Sequence, residues 1–186
     1  HEWIYQYILK DKLAGGSLYL HLRCKKKRKK RYGSNERRGI LKNRIGIDQR
    51  PAIVDTRSRV GDWEADTIIG KAHKQAIVSI TERKSGLALI YKVDRRTKEN
   101  TEGAIKRLLG SISKQVHTIT SDNEKEAGDH EKIAAGLKCN FYFAHAYSSW
   151  ERGTNENTNG LIRQYFPKNR DFRTITDKEL IHAMKR

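Results

Sequence analysis

The sequence predicts an α/β protein: a mixed five-stranded sheet flanked by helices, preceded by a basic, partly helical N-terminal arm. Two observations carry the sheet. Between Asp62 and Val93 three short stretches rich in apolar and β-branched residues follow one another, and beyond them helical and strand patterns alternate. Strands joined by tight turns pair antiparallel and strands separated by a helix pair parallel, so one sheet must contain both. The third observation is charge. The 186-residue chain has a formal charge of +17, and residues 1–60 hold 17 Lys/Arg against 5 Asp/Glu. A basic arm on a nearly balanced remainder points to a polyanion, most simply nucleic acid; a merely solvated basic surface is the alternative.

Along the arm, Trp3, Ile4, Tyr7 and Ile8 fall at helical spacing, so a helix is expected over 1–13, stopped by Gly15-Gly16. Residues 17–24 are short and apolar and suit a second helix. Lys25, Lys26, Lys27, Arg28, Lys29, Lys30 and Arg31 are seven adjacent like charges that repel one another until phosphates neutralise them. Residues 33–59 carry turn residues without a period and read as an extended linker, with Arg50-Pro51 opposing helix at Arg50. The expected organisation is therefore an arm over 1–59 and a core over 60–186. Cys24 and Cys139 lie far apart without metal-ligand spacing and suit a reducing cytoplasm. No apolar run is long enough for a membrane span. The chain starts at His1 and stops at Arg186 inside an apparent helix, so a fragment is expected.

In the core, strands are expected at 62–69, ending at Gly70, at 75–81 and at 87–93, the last two joined as a hairpin by Lys84-Ser85-Gly86. Residues 97–112 read as a helix with Ala104, Ile105, Leu108, Leu109 and Ile112 on one face. A β-branched strand at 117–121 ends at Asp122, a helix follows at 130–138, then a strand at 139–144. A helix is expected within 147–168, starting either at Thr154 as N-cap or at a capping box from Ser148 to Glu151. Trp150, Leu161, Tyr165 and one of Ile162 or Phe166 are expected to face the core. Thr176 with Glu179 reads as a capping box for a last helix from Asp177. The order β-β-β-α-β-α-β-α-α is that of ribonuclease H-like domains.

The helix within 147–168 is poorly composed for stability. Asn155, Asn157, Asn159 and Gly160 are weak helix formers, and the one acid among the asparagines is Glu156. Such a segment is retained when its polar groups have work to do. On the first strand Asp62, Glu64 and Asp66 share one face; a solvent-facing edge explains that pattern equally well. Asp122 stands where a strand ends, the usual ligand position of open α/β sheets, although an Asx-turn with Asn123 is the plainer alternative. Asp66, Asp122 and Glu156 together suit phosphodiester chemistry. Two Mg²⁺ ions roughly 4 Å apart can activate the nucleophile and stabilise the leaving oxygen, and Mg²⁺ takes few carboxylates because it keeps its waters.

The residues Gly61-Asp-Trp-Glu-Ala-Asp-Thr-Ile-Ile-Gly-Lys71, Thr120-Ser-Asp-Asn123 and Tyr147-Ser-Ser-Trp-Glu-Arg-Gly-Thr-Asn-Glu-Asn-Thr-Asn-Gly-Leu-Ile-Arg-Gln-Tyr-Phe-Pro-Lys168 resemble the catalytic core of DDE transposases of the IS-thirty family of bacterial insertion sequences. The 33 residues between Asp122 and Glu156 match that family's spacing, and the arm resembles its pre-core segment. The resemblance implies Asp66, Asp122 and Glu156 as the catalytic metal ligands and Mg²⁺, with Mn²⁺ as substitute, in two sites. It implies nicking at the element's 3′ ends followed by strand transfer into target DNA, an oligomer on double-stranded DNA, and a cytoplasmic, nucleoid-associated bacterial protein. It also implies further segments on both sides, a helix-turn-helix among them. Arg152, Asn159, Arg163, Lys168 and the 25–31 run are expected phosphate contacts. Glu64, Asn123, His130 and Asn155 are expected to support the site. Asn123 would orient Asp122 or donate to DNA, and His130 would cap a helix or stand near the metals. Trp63 and Trp150 are expected in the core.

The departures from the family pattern are Glu124 where a glycine is usual, Ala127 where an aromatic is usual and Ala146 where Pro is usual. A catalytically impaired DNA-binding remnant is therefore the alternative. A third class, a basic ribosomal or nucleoid protein, has no need of an Asn-rich helix around one Glu.

Overall fold

The three consecutive strands form because each is an apolar or β-branched run closed by turn residues. β1 (Asp62–Ile69) pairs antiparallel with β2 (Ala76–Glu82), and β2 with β3 (Ala88–Val93). The β2–β3 turn needs Gly86, whose φ is +73°. The helix α3 (Lys98–Leu109), capped by the Thr97 side chain, then carries the chain across to β4 (Thr118–Ser121), parallel to β1. A second crossover through α4 (His130–Leu137) reaches β5 (Asn140–Phe143), parallel to β4. The sheet order is β3-β2-β1-β4-β5, so β1 is the central strand. The chain closes with α5 (Gly153–Tyr165) and α6 (Asp177–Met184), the latter carrying the capping box between Thr176 and Glu179. This is a ribonuclease H-like mixed sheet.

In this computed structural model the described residues are 2–22, 41, 43–71, 75–123, 127–146 and 148–185. The basic run Lys25–Arg31, Glu124 and Tyr147 lie outside them. Contacts divide the chain into units His1–Arg37 and Arg38–Arg186. In the first, α1 (Glu2–Leu13) buries no residue; Trp3 and Tyr7 stack on its surface, and Lys12 lies over the Tyr19 ring in a short 3₁₀ turn that replaces the expected second helix. Among the described residues no helix is long and apolar enough to cross a membrane.

The two faces of the sheet are packed differently. On one, Trp63, Ala65, Val78, Ile80, Ile119, Phe141 and Phe143 meet Ile105 and Leu109 of α3 and Ile133 and Leu137 of α4. On the other, Ile68, Ile77 and Ile90 meet Ile162 of α5, Leu180 of α6, and Phe166, Phe172 and Ile175 between them. That second cluster covers only part of its face; the rest is polar.

The stretch expected to be an extended linker is structured at its end. A 3₁₀ turn at Ile47–Gln49 and α2 (Ala52–Asp55) place Arg50 and Val54 in the interior, with Val54 fully buried. The Arg50-Pro51 junction keeps Arg50 extended, as expected, but that conformation aims the guanidinium inward instead of leaving a free tether.

Gly61 fixes where β1 and β4 begin. Its φ is +109°, and a Cβ there would stand 2.0 Å from the Gln115 carbonyl oxygen. Its own carbonyl accepts from the N–H groups of His117 and Thr118 at the head of β4.

Candidate active site

The period of two along β1 turns Asp62, Glu64 and Asp66 to one face, and the central position of the strand buries the first two. Asp62 is 1 % exposed and Glu64 is 0 % exposed, so the solvent-facing edge is ruled out. Each has found a cation or donor, as a buried carboxylate must. Arg59 clasps Asp62 with two hydrogen bonds of 2.9 Å, and Thr118 Oγ1 donates to it at 2.7 Å. Burial pushes the Asp62 carboxyl up, but these bonds from Arg59 and Thr118 outweigh it and hold the group below the ordinary carboxylate range. Glu64 pairs with the buried Arg83 and accepts the backbone N–H of Asn155 at 2.7 Å.

Asp66 lies two residues further on, where the face opens. Its Oδ1 accepts its neighbour Thr67's N–H at 2.8 Å, and its Oδ2 accepts from Asn159 Nδ2 at 2.9 Å. Asp122 follows the last residue of β4. Because β1 and β4 are parallel, with Glu64 in register with Thr120, Asp66 and Asp122 lie side by side one step beyond the ladder. Both border a small cavity that is otherwise lined from the α3 side of the sheet, by Ala65, Val78, Ile105, Ala127 and Phe141. The two terminal nitrogens of Arg152 reach them, each 3.5 Å from one Oδ2. The side chain of Arg152 is 12 % exposed, and its buried Nε has no hydrogen-bond partner among the described residues.

Glu156 is exposed in the first turn of α5. It stands on the helix line that runs from Arg152 through Asn159 to Arg163, by the spacing of three to four residues. Those three neighbours all turn to β1: Arg152 and Asn159 to Asp66, and Arg163 Nη2 to the Ile69 carbonyl at 2.9 Å. Burial lowers the pKa of Arg163 below its ordinary value. Among the described residues no group of three or more His, Cys, Asp or Glu side chains is gathered as a ready metal site. The structure thus brings Asp66 and Asp122 together around one guanidinium, with Glu156 on the adjoining helix face.

Other expectations need correction. Trp63 is buried, but Trp150 is 73 % exposed, and Leu161 and Tyr165 are exposed as well. The face of α5 that meets the sheet is Asn155, Thr158 and Ile162, continued by Phe166 just past its end. The reason is polar: Asn155 Oδ1 accepts from Thr81 Oγ1 of β2 at 3.1 Å, and the hydroxyl proton of Ser79 goes to Asn159 Oδ1 at 2.7 Å. Polar pairing with β2 rotates the helix away from the purely hydrophobic phase. Its start is also different. A 3₁₀ turn at Ser149–Arg152 precedes Gly153, neither expected cap forms, and Glu151 instead binds the N–H and ring of His145.

Asn159 and Arg163, expected to face DNA, make these internal bonds, while Lys168 is exposed. Asn123 bridges Arg44 and the Ala144 carbonyl, tying the ends of β4 and β5. His130 is buried in the first turn of α4 against Phe141 and Phe143, with Nε2 3.4 Å from the Asn43 carbonyl. The residues that sequence reasoning missed are Arg50, Ser79, Thr81 and Arg83. Ser79 and Thr81 had a signal: they are polar at alternate positions of an apolar strand, and they pair in register with Asp66 and Glu64.

No family model matches the chain. Among curated proteins it is 46% identical over 181 residues to the transposase for insertion sequence element IS4351 of Bacteroides fragilis, covering 97% of this chain and 56% of that protein. It is 32% identical over 139 residues to transposase InsI of IS30A of Escherichia coli, covering 74% of this chain and 36% of that protein. The chain spans about half the length, or less, of the curated relatives it matches. Among solved structures, a chain of the simian T-cell lymphotropic virus intasome, determined with the PP2A regulatory subunit B56 gamma, superposes with a TM-score of 0.56 at 17% identity, over 81% of this chain and 53% of that one. That likeness concerns the fold.

Proposed function

The chain belongs to the family of insertion-sequence transposases that includes InsI of IS30, and on that premise we propose that it is the phosphodiester-cleaving and strand-transferring core of such a transposase. Asp66, Asp122 and Glu156 are its catalytic carboxylates, and double-stranded DNA, as element end and as target, is its substrate. The observation that carries this reading is the meeting of Asp66 and Asp122 from adjacent parallel strands around a single shared cation, the Arg152 guanidinium.

That donor set suits a hard divalent ion. Two partly exposed carboxylates side by side beyond the β1–β4 pairing, with a third acid on the adjoining helix face, offer oxygen ligands only, as Mg²⁺ or Mn²⁺ prefers. Asp66, Asp122 and Glu156 would hold the ions, which supply Lewis-acid stabilisation of the attacking and leaving oxygens. The chain's own residues do the rest. Asn159 fixes one oxygen of Asp66, leaving the carboxylate a single orientation. Arg152 offsets the charge of both aspartates, its two terminal nitrogens each 3.5 Å from one of them, and so limits their mutual repulsion. Lys168 and the 25–31 run add sequence-independent attraction for the DNA backbone, which weakens as salt rises. Strand transfer joins two DNA ends to one target, so the working form is an oligomer on DNA. The organisation proposed is an arm over 1–59 before the core, with the arm's attachment to the core reaching back past Arg50 to Asn43 and Arg44.

A nicking and strand-transfer assay on supercoiled plasmid with Mg²⁺ or Mn²⁺ tests the reading: the intact chain cuts and Glu156→Gln does not. Equal activity in both sinks the assignment. The second reading, a DNA-binding remnant with impaired chemistry, is favoured by one observation. Ala127, standing where the family usually carries an aromatic, lines the small cavity on the α3 side that Asp66 and Asp122 border. In that case both proteins bind DNA and neither cuts.

A further inference from the structure

Directly beneath the three acids lies a buried layer of charge. Glu64 precedes Asp66 by two residues on β1, Thr120 precedes Asp122 by two on β4, and Asn155 immediately precedes Glu156 on α5. These three are linked. Glu64 and Thr120 are register partners, and Glu64 Oε2 accepts the Asn155 N–H at 2.7 Å. Arg83, 7 % exposed, pairs with Glu64 Oε1 and donates from Nε to the Val54 carbonyl at 3.2 Å; its Nη2 lies 3.7 Å from Asp55. Arg50, whose side chain is 4 % exposed, pairs with Asp55 and donates to Thr120 Oγ1 at 3.1 Å. The buried Arg50, Arg83 and Glu64 thus form one layer, closed at its solvent edge by Asp55, whose side chain is 61 % exposed, with Arg50 and Asp55 contributed by the segment before the core.

Such a layer is a poor source of stability, since a well-packed apolar group of similar volume does as well or better. Its distinguishing property is direction. A carboxylate that receives an N–H from the first turn of a helix satisfies one of the orphan donors there and opposes the positive end of the dipole. It thereby fixes both the height and the rotation of that turn. On this sheet the anchored turn is the one that bears Glu156.

We propose that Glu64 is a positioning residue: paired with Arg83 and tied to Val54 and Asp55, its buried carboxylate anchors the first turn of α5 and so sets where Glu156 stands relative to Asp66 and Asp122. The inference rests on the catalytic reading of those three acids. It goes beyond that reading by giving the pre-core segment a part in the site's geometry.

The test uses the whole chain and a neutral double variant, Glu64→Gln with Arg83→Met, which removes both charges together and leaves neither buried alone. Circular dichroism and a melting curve establish that it is folded at the assay temperature. DNA affinity is expected within about twofold of the parent, while kcat per folded molecule falls about a hundredfold, the penalty of a small misplacement at a reacting centre. Hydrogen exchange at the amides of residues 154–157 is expected to accelerate about tenfold, while that of 162–165 is unchanged. An unchanged kcat in folded protein overturns the proposal, as does exchange that rises evenly along α5. Should the parent fail to cut, or Glu156→Gln cut as well as the parent, the catalytic reading falls instead. The exchange pattern then still decides the anchor: acceleration confined to 154–157 upholds it and an even rise removes it.

Discussion

One sheet here has two faces built on opposite principles. The face under α3 and α4 is filled by side chains such as Ile119, Leu109 and Phe143, which have no polar atoms and accept one another by volume alone. The opposite face carries Asp62, Glu64, Ser79, Thr81, Thr118 and Thr120, each buried. The apolar face is redundant, because any shape-filling side chain serves. The polar face is specific, because each group there must meet a particular donor or acceptor. The catalytic candidates stand where the polar face opens to solvent, so the apolar face supports the fold and the polar face supports the site.

Substitutions that treat the two faces alike would expose the difference. The largest effect is expected from Arg83→Met alone, which leaves Glu64 charged and unpaired in the interior. A denaturant melt should show a loss of about 3–5 kcal/mol, most of it recovered by adding Glu64→Gln. Recovery of stability without recovery of cutting is the signature of the polar face. Next, Leu109→Ala on the apolar face should cost about 2–5 kcal/mol by transfer and cavity terms, with kcat of the folded protein unchanged. If Leu109→Ala also lowers kcat at constant folded fraction, the division of labour fails.

Asp62→Asn comes third, at about 1–3 kcal/mol for a buried, hydrogen-bonded charge, and its mark is in pH. The folded carboxyl titrates below its ordinary value of 3.8, so its contribution is present above that value and lost as pH falls through the lowered one. The variant's acid melt should therefore be flatter than the parent's across that window. The smallest effect is expected at His145, which Glu151 and Asp48 hold protonated above the ordinary histidine value of 6.5. Its contribution is present below 6.5 and lost as pH rises through the raised folded value. His145→Gln should remove this alkaline-side decline, read as a melting temperature that no longer falls between neutral and mildly alkaline pH.

The sequence showed the sheet and its order because strands and helices on this fold differ in period and turn residues. β1 ends at Ile69 before Gly70, and the Thr176–Glu179 box forms as its spacing requires. It showed the acids that share a β1 face but not their depth, since depth depends on β1 becoming the central strand. Trp150 was misplaced because hydrophobicity alone set the phase of α5, whereas Asn155 and Asn159 set it in three dimensions by pairing with Thr81 and Asp66. Arg50 was read as linker because a lone arginine beside a proline has no period. Its partners, Asp55 and Thr120, are respectively five and seventy residues away.

Gly61 holds a consequence for how this chain tolerates substitution. No other residue fits there without meeting the Gln115 carbonyl, and it is this glycine that starts β1 and β4 side by side. A slip of one residue in β1 would carry Asp66, Glu64 and Asp62 together to the oily side of the sheet. A side chain at Gly61 is therefore expected to disturb the heads of both strands at once, since one residue closes the space against Gln115 and holds His117 and Thr118.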